Sequence, residues 1–201
     1  MIPSSATKIV LASGNLGKIK EIQAILMDYQ LETQNNYNVP EAEETGTTFI
    51  ENAIIKARNA AQYTGLAAIA DDSGLVVDGL QGAPGVISAR YAGGAASDED
   101  NLQKLLTECA KISEQQRTAR FICVMVFMQQ ANDPTPLIAQ GSWEGTITLQ
   151  PRGDNGFGYD PVFWLTDYQC TSAELSPELK NQLSHRSQAL QHLTTLMKIK
   201  N

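Results

Sequence analysis

An α/β fold is predicted for this chain, and three observations predict it. Short apolar runs of strand character alternate with helical patterns, helix start signals recur between them, and the chain contains no repeat, low-complexity tract or linker. The alternation begins at residues 8–12 (KIVLA), which read as a buried strand. The loop Ser13-Gly14-Asn15 follows, then a helix to about Met27 with Leu16, Ile19, Ile22, Ile25 and Leu26 on one face. Residues 45–48 form a turn. Thr48-Phe49-Ile50-Glu51 matches the T-x-x-E capping box, so a helix is predicted from there to about Thr64. Residues 66–70 are a second apolar run, ending in Asp71-Asp72-Ser73-Gly74. Residues 79–94, rich in Gly, Ala and Pro, read as an ordered loop. Ser97 caps a helix with Leu102, Leu105 and Leu106 on its core side. Residues 121–128 are a strong strand, and 138–149 one or two strands. Residues 153–160 form a glycine-rich loop. Ser176-Pro177 starts a helix, and a last helix carries Leu190, Leu193 and Met197.

The bulk numbers narrow the function classes. With 201 residues the chain suits one substantial domain, or one core with a smaller lobe. Hydrophobic residues at 42% against 18% charged predict folding rather than disorder. No apolar run approaches the roughly 20 residues that span a bilayer, and residues 1–7 lack the basic start of an export signal. A cytoplasmic location with no membrane partner is expected. Three cysteines without a CxxC pair and two histidines make a Cys/His zinc site a poor fit, and reduced thiols the expectation. A net charge of −7 argues against nucleic acid, which calls for clustered Lys and Arg. It does not exclude a small polyanion held at a local basic site with a divalent cation.

Several segments carry residues suited to chemistry, each with a structural alternative. In Ser13-Gly14-Asn15-Leu16-Gly17-Lys18, a glycine loop between strand and helix offers N–H groups, a positive helix end and the charge of Lys18 to phosphate. Two residues separate Gly14 from Gly17, so this is not a Walker A loop, and an ordinary turn with a surface lysine reads equally well. Adjacent carboxylates Asp71 and Asp72 at a strand end are costly near a core unless a cation compensates. Alternation sends one toward a site and leaves the other to secure the turn; a solvated Asp-Asp turn is the alternative. Glu41, Glu43 and Glu44 are hard oxygen donors of the kind Mg²⁺ takes, or a solvated charge run. Asn52 and Lys56 share a helix face, where Lys56 either points at phosphate or stays solvated. In Asn155-Gly156-Phe157-Gly158-Tyr159-Asp160 the aromatics either stack on a base or pack in the core. Lys180, His185 and Arg186 are donors that can read a keto-bearing base, or cations at a helix end.

Taken in order, KIVLASGNLGK, EETGTTFIENAIIKA, IADDSGLVVDGLQGAPGVISARYAG, GSWEG, NGFGYDPVF and SHRSQAL resemble the noncanonical purine NTP pyrophosphatase family, the inosine/xanthosine triphosphate pyrophosphatases. The match runs from about Lys8 to Leu190. The resemblance implies Mg²⁺-dependent hydrolysis of ITP, dITP and XTP to monophosphate and pyrophosphate. It also implies an elongated central mixed sheet flanked by helices, two lobes with a cleft between them, one domain over 1–201 and a homodimer. It places the phosphate loop on Ser13, Gly14, Asn15, Leu16, Gly17 and Lys18, where the family more often has Thr at the position of Ser13. It places the catalytic and metal-binding aspartate on Asp72, a substrate-contacting serine on Ser73 and the helix lysine on Lys56. The second metal carboxylate falls on Glu43, with Glu41 and Glu44 open. The base site falls on Phe157, Gly158, Tyr159 and Asp160, with Lys180, His185 and Arg186. Arg186, a donor only, is expected to favour a 6-keto over a 6-amino purine. Two rivals stay open: a pyrophosphatase or phosphatase of other base preference, and a nucleotide-sensing module without turnover.

Overall fold

The computed structural model describes residues 8–27 and 29–199; residues 1–7, read as lacking an export signal, lie outside them. The order is β1 (Lys8–Leu11), α1 (Leu16–Ile25), β2 (Gln30–Thr33), α2 (Phe49–Thr64), β3 (Ala67–Val77), α3 (Asp98–Cys109), β4 (Thr118–Met128) and β5 (Leu137–Ile147). Then come β6 (Phe163–Leu165), β7 (Cys170–Thr171), α4 (Pro177–Leu183) and α5 (His185–Ile199). Among the described residues these strands make one seven-stranded sheet, β2-β1-β3-β4-β5-β6-β7. It is mixed: β1 is parallel to β2 and β3, while β6 is antiparallel to β5 and β7. The predicted α/β class is the one observed.

The chain divides into two compact units. The first holds Met1–Asp72, Cys123–Gly141 and His185–Asn201; the second holds Ser73–Ile122 and Ser142–Ser184. Three of the four boundaries fall inside β3, β4 and β5, and the fourth lies between α4 and α5. The first unit's core follows the period of two. Ile9, Leu11, Ala67, Ile69, Met125 and Phe127 pack with Ile19 and Ile22 of α1 and Ala189, Leu190, Leu193 and Met197 of α5. Val10, Ala68 and Ala70, which alternation sends to the other face, are also fully buried. Parallel strands covered on both faces read as continuous apolar runs for this reason. In the second unit the Phe163 ring meets those of Phe121 and Trp143 in tilted contacts, centres 4.5 and 5.6 Å apart, with Leu102 and Leu105 of α3 in the same cluster.

The start signals formed as read. Thr48 and Glu51 exchange both bonds of a capping box, Ser97 and Asp100 do the same, and Ser176 caps α4 with Pro177 at its first position. Two expectations are revised. The apolar run at 66–70 does not turn at Asp71-Asp72-Ser73-Gly74; β3 continues through them to Val77, because cations meet both carboxylates inside the strand. Residues 79–94 include a 3-10 helix, Gly85–Arg90, rather than loop alone. Of the one or two strands expected over 138–149, one forms, Leu137–Ile147. The short strands β2, β6 and β7 were not read at all. Four, three and two residues long, they carry too few residues to show a period.

A backbone-to-backbone approach anchors α5 within the first unit. A Cβ on Gly141 of β5 would lie 2.1 Å from the carbonyl oxygen of His185 and 2.7 Å from the amide nitrogen of Ala189. Backbone on both sides cannot rotate away as a side chain would. Gly141→Ala is therefore expected to lower stability by about 1–3 kcal/mol, the scale of overpacking. The check is urea denaturation, with a lower midpoint at unchanged slope; an unchanged midpoint refutes the close approach.

Candidate active site

The first unit gathers its charged side chains around β3. Asp71 and Asp72 are 1% and 4% exposed, and neighbours on a strand leave it on opposite faces. Asp71 meets Lys18 of α1, Nζ to Oδ2 at 2.9 Å, and faces Arg186 of α5, Nε to Oδ2 at 3.6 Å. Asp72 meets Lys56 of α2, Nζ to Oδ1 at 2.8 Å, while Asn52 Nδ2 lies 3.5 Å from its Oδ2. Burial alone would raise both carboxyl pKa values. For Asp71 the charges of Lys18, Arg186 and Lys56 outweigh burial and hold it far below its ordinary 3.8. For Asp72 burial prevails over Lys56, so this carboxyl sits above 3.8. Lys56 is opposed by burial, yet Asp71, Asp72 and Glu44 raise it, so it stays charged. Adjacent residues thus differ in kind: Asp71 is a fixed anion, Asp72 a more basic carboxylate.

The loop ahead of α1 is built to face an anion. Asn15 caps the helix by accepting from the Lys18 amide, and its own N–H donates to Ser13 Oγ at 3.3 Å. Gly14, Asn15 and Leu16 are exposed, Gly17 and Lys18 half-buried, Ser13 buried. The first turn of α1 carries no acidic residue, whereas that of α3 carries three. A positive helix end left uncompensated, with Lys18 on it, suits phosphate oxygens.

Of the three glutamates, Glu44 is the one drawn into the cluster. Its Oε1 lies 2.9 Å from Lys56 Nζ; Glu43, the choice from sequence, is exposed, and Glu41 lies beside Gly14. The loop turns there through Gly46, whose N–H donates to Asn52 Oδ1 at 2.8 Å. Glu44 and Asp72 therefore converge on a single cation, and hard oxygen donors of this kind fit Mg²⁺, which takes one or two carboxylates and completes its shell with water and phosphate. Among the described residues no group of three or more His, Cys, Asp or Glu side chains is placed to hold a metal. The chain offers two carboxylates rather than a cage.

Arg186 is placed differently from its sequence reading. Its guanidinium is 2% exposed and ion-paired to Glu21 of α1 as well as facing Asp71. It serves as counter-cation to the buried Asp71 and the half-buried Glu21, and its pKa is raised by both against burial. His185 opens α5 and is 5% exposed.

The second unit holds the other predicted group. Asp160, 3% exposed, ties its loop together: Oδ2 accepts from the Phe157 amide at 2.8 Å and from Lys180 Nζ at 2.6 Å, and Oδ1 accepts from Ser172 at 2.7 Å. The Lys180 ammonium sits 5.1 Å from the centre of the half-buried Phe157 ring. The Gly158 amide donates to Asp98 at 3.1 Å, and Tyr159 donates its hydroxyl to the Ser88 carbonyl at 2.7 Å. Tyr159 is a core residue, 6% exposed, so the packing alternative holds for it, while Phe157 is half-buried. The amides of Phe157 and Gly158 are both engaged by carboxylates. Ser73 follows Asp72 on β3 and is half-buried. Glu21, Asp98 and Ser172 escaped the sequence reading. Each is a common polar residue on or beside a helix, and its role is visible only through partners distant in sequence.

An α/β protein with paired carboxylates and lysines beside an anion-facing loop belongs with enzymes that act on phosphates. The family model described as "Ham1 family" matches residues 9–196, so the chain belongs to the Ham1 family. Among its relatives, the "dITP/XTP pyrophosphatase" of Vibrio vulnificus (strain YJ016) is 61% identical over 188 residues, 92% of this chain and 94% of that one. That of Photobacterium profundum is 58% identical over 194 residues, 96% and 98% of the two chains. A HAM1 protein from Coxiella burnetii superposes with a TM-score of 0.87 at 52% identity, over 96% of this chain and 99% of that one.

Asp71→Asn removes the anion that Lys18 and Arg186 share. It is expected to cost about 3–5 kcal/mol, the scale of breaking a buried pair. A depressed folded pKa means that this stabilisation is fully present above 3.8 and is lost as pH falls through the lower folded value. Urea melts of both proteins across acid pH should show the gap widest near neutrality and closing below 3.8. A gap independent of pH contradicts the assignment.

Proposed function

We propose that this protein hydrolyses noncanonical purine nucleoside triphosphates, with ITP, dITP and XTP as substrates, to the monophosphate and pyrophosphate, and so clears them from the nucleotide pool. The observation that carries this reading is the cluster of Lys18, Asp71, Lys56, Asp72 and Glu44 around β3, in a chain 61% identical to a relative named dITP/XTP pyrophosphatase. Mg²⁺, held by Asp72 and Glu44, is the proposed cofactor; when bound it would neutralise phosphate charge and acidify water. A cytoplasmic homodimer is the proposed setting.

The reaction is an in-line attack of water on the α-phosphorus. The new P–O bond forms as the α–β anhydride bond breaks, and pyrophosphate leaves. Asp72 takes the water's proton, a role suited to a carboxyl raised above its ordinary value. The N–H groups and positive end of α1, with Lys18 and Lys56, meet the charge that develops on transferring and leaving oxygens. Asp71 keeps Lys18 and Arg186 in place, so the catalytic contribution is chiefly positioning and electrostatics. The face of Phe157, with Lys180 beside it, is proposed to stack on the purine.

Asp72→Asn should lower kcat at least about 100-fold while leaving the melting temperature near that of the wild type, since an amide neither accepts the proton nor binds a cation well. Phe157→Ala should weaken purine triphosphates by about 1–3 kcal/mol, read mainly in KM. A panel of nucleoside triphosphates assayed for both products decides the reading. Pyrophosphate released preferentially from dITP, ITP and XTP supports it; orthophosphate, or equal turnover of ATP, overturns it.

A further inference from the structure

The place that the second carboxylate and Asp72 share is already taken by a cation of the chain itself. Lys56 Nζ lies 2.9 Å from Glu44 Oε1 and 2.8 Å from Asp72 Oδ1, with side chains 16%, 23% and 6% exposed respectively. Mg²⁺ binds oxygen at about 2.0–2.1 Å, so an ion bridging these two oxygens and the Lys56 ammonium compete for one position. Resting on the function proposed above, we infer that Lys56 is a resident counter-cation: it holds Glu44 and Asp72 together in the nucleotide-free protein, and yields to the divalent ion only when a polyphosphate arrives. The true substrate is then the metal–triphosphate complex rather than a free triphosphate meeting a preloaded metal.

The energetics point the same way. A bare divalent ion gains two carboxylates but must evict a half-buried ammonium that then loses both its counter-anions, a costly arrangement. Among the described residues no group of three or more His, Cys, Asp or Glu side chains is placed to hold a metal, so the chain has little to offset that cost. A triphosphate changes the balance twice over. Its oxygens complete the metal's shell, and they give the displaced ammonium a new partner. The side chain can make the motion, since Lys56 is 16% exposed and the lysine stem is long and flexible. Lys18 is the internal contrast. It carries the same charge but pairs with Asp71 on the other face of β3, so it holds no claim on the metal position.

The test is Mn²⁺ binding to nucleotide-free protein, followed by electron paramagnetic resonance, in wild type, Lys56→Met and Lys18→Met. Lys56→Met should bind Mn²⁺ at least about tenfold more tightly than wild type, and Lys18→Met less than about threefold more tightly, because only the former removes a charge at contact distance. Equal tightening in both variants, or none in Lys56→Met, overturns the inference. A second measurement does not depend on any variant folding. Mn²⁺ alone should barely raise the wild-type melting temperature, whereas Mn²⁺ with a methylene-bridged dITP analogue should raise it by several degrees. A full rise with Mn²⁺ alone overturns the inference. Hydrolysis of dITP by the same wild-type sample reports the function separately. An active enzyme that fails the Mn²⁺ tests loses this inference and keeps its function, while an inactive one loses the function.

Discussion

Two adjacent aspartates buried in the middle of a strand are the constraint around which the first unit is arranged. Neither Asp71 nor Asp72 could remain there as an anion without a cation brought to it. The pleat separates their needs. Asp71 draws Lys18 from α1 and Arg186 from α5, and Asp72 draws Lys56 from α2. Three helices are thereby pinned to one strand by charge, and α1 and α5 also by the apolar packing around Ile69. The strand persists through Asp-Asp-Ser-Gly to Val77 for the same reason.

The same constraint divides the labour. Three cations crowd Asp71 and leave it an anion at any physiological pH. Asp72 keeps a basicity above that of a solvated aspartate, because burial outweighs the lysine beside it. A group that must accept a proton belongs on the second face, and a group that must hold lysines in register belongs on the first. Arg186, read from its neighbours in sequence as a base donor, takes its place on the Asp71 side because that is where its charge is compensated.

Much of this was legible before any coordinates. The capping boxes at Thr48 and Ser97, the helix start at Ser176-Pro177 and the α/β alternation depend on contacts within a few residues, which a sequence displays directly. That a cation must compensate carboxylates placed near a core was legible too, but not that Lys56 would be the one at Asp72. What escaped were relations between distant segments. The choice among Glu41, Glu43 and Glu44 turns on the Gly46–Asn52 hydrogen bond that sets the loop. The role of Glu21 depends on α5, more than a hundred residues later. Tyr159 and Phe157, separated by one glycine, parted into core and half-buried surface because a single hydroxyl found the Ser88 carbonyl.

The account holds that the charged cluster on β3 directs water to the α-phosphorus of a triphosphate. Turnover of dITP in heavy-oxygen water, with the products resolved by phosphorus NMR, tests that directly. The account predicts the heavy oxygen in the nucleoside monophosphate and none in the pyrophosphate. Label found in pyrophosphate, or released as labelled orthophosphate, would place the attack on another phosphorus and contradict it.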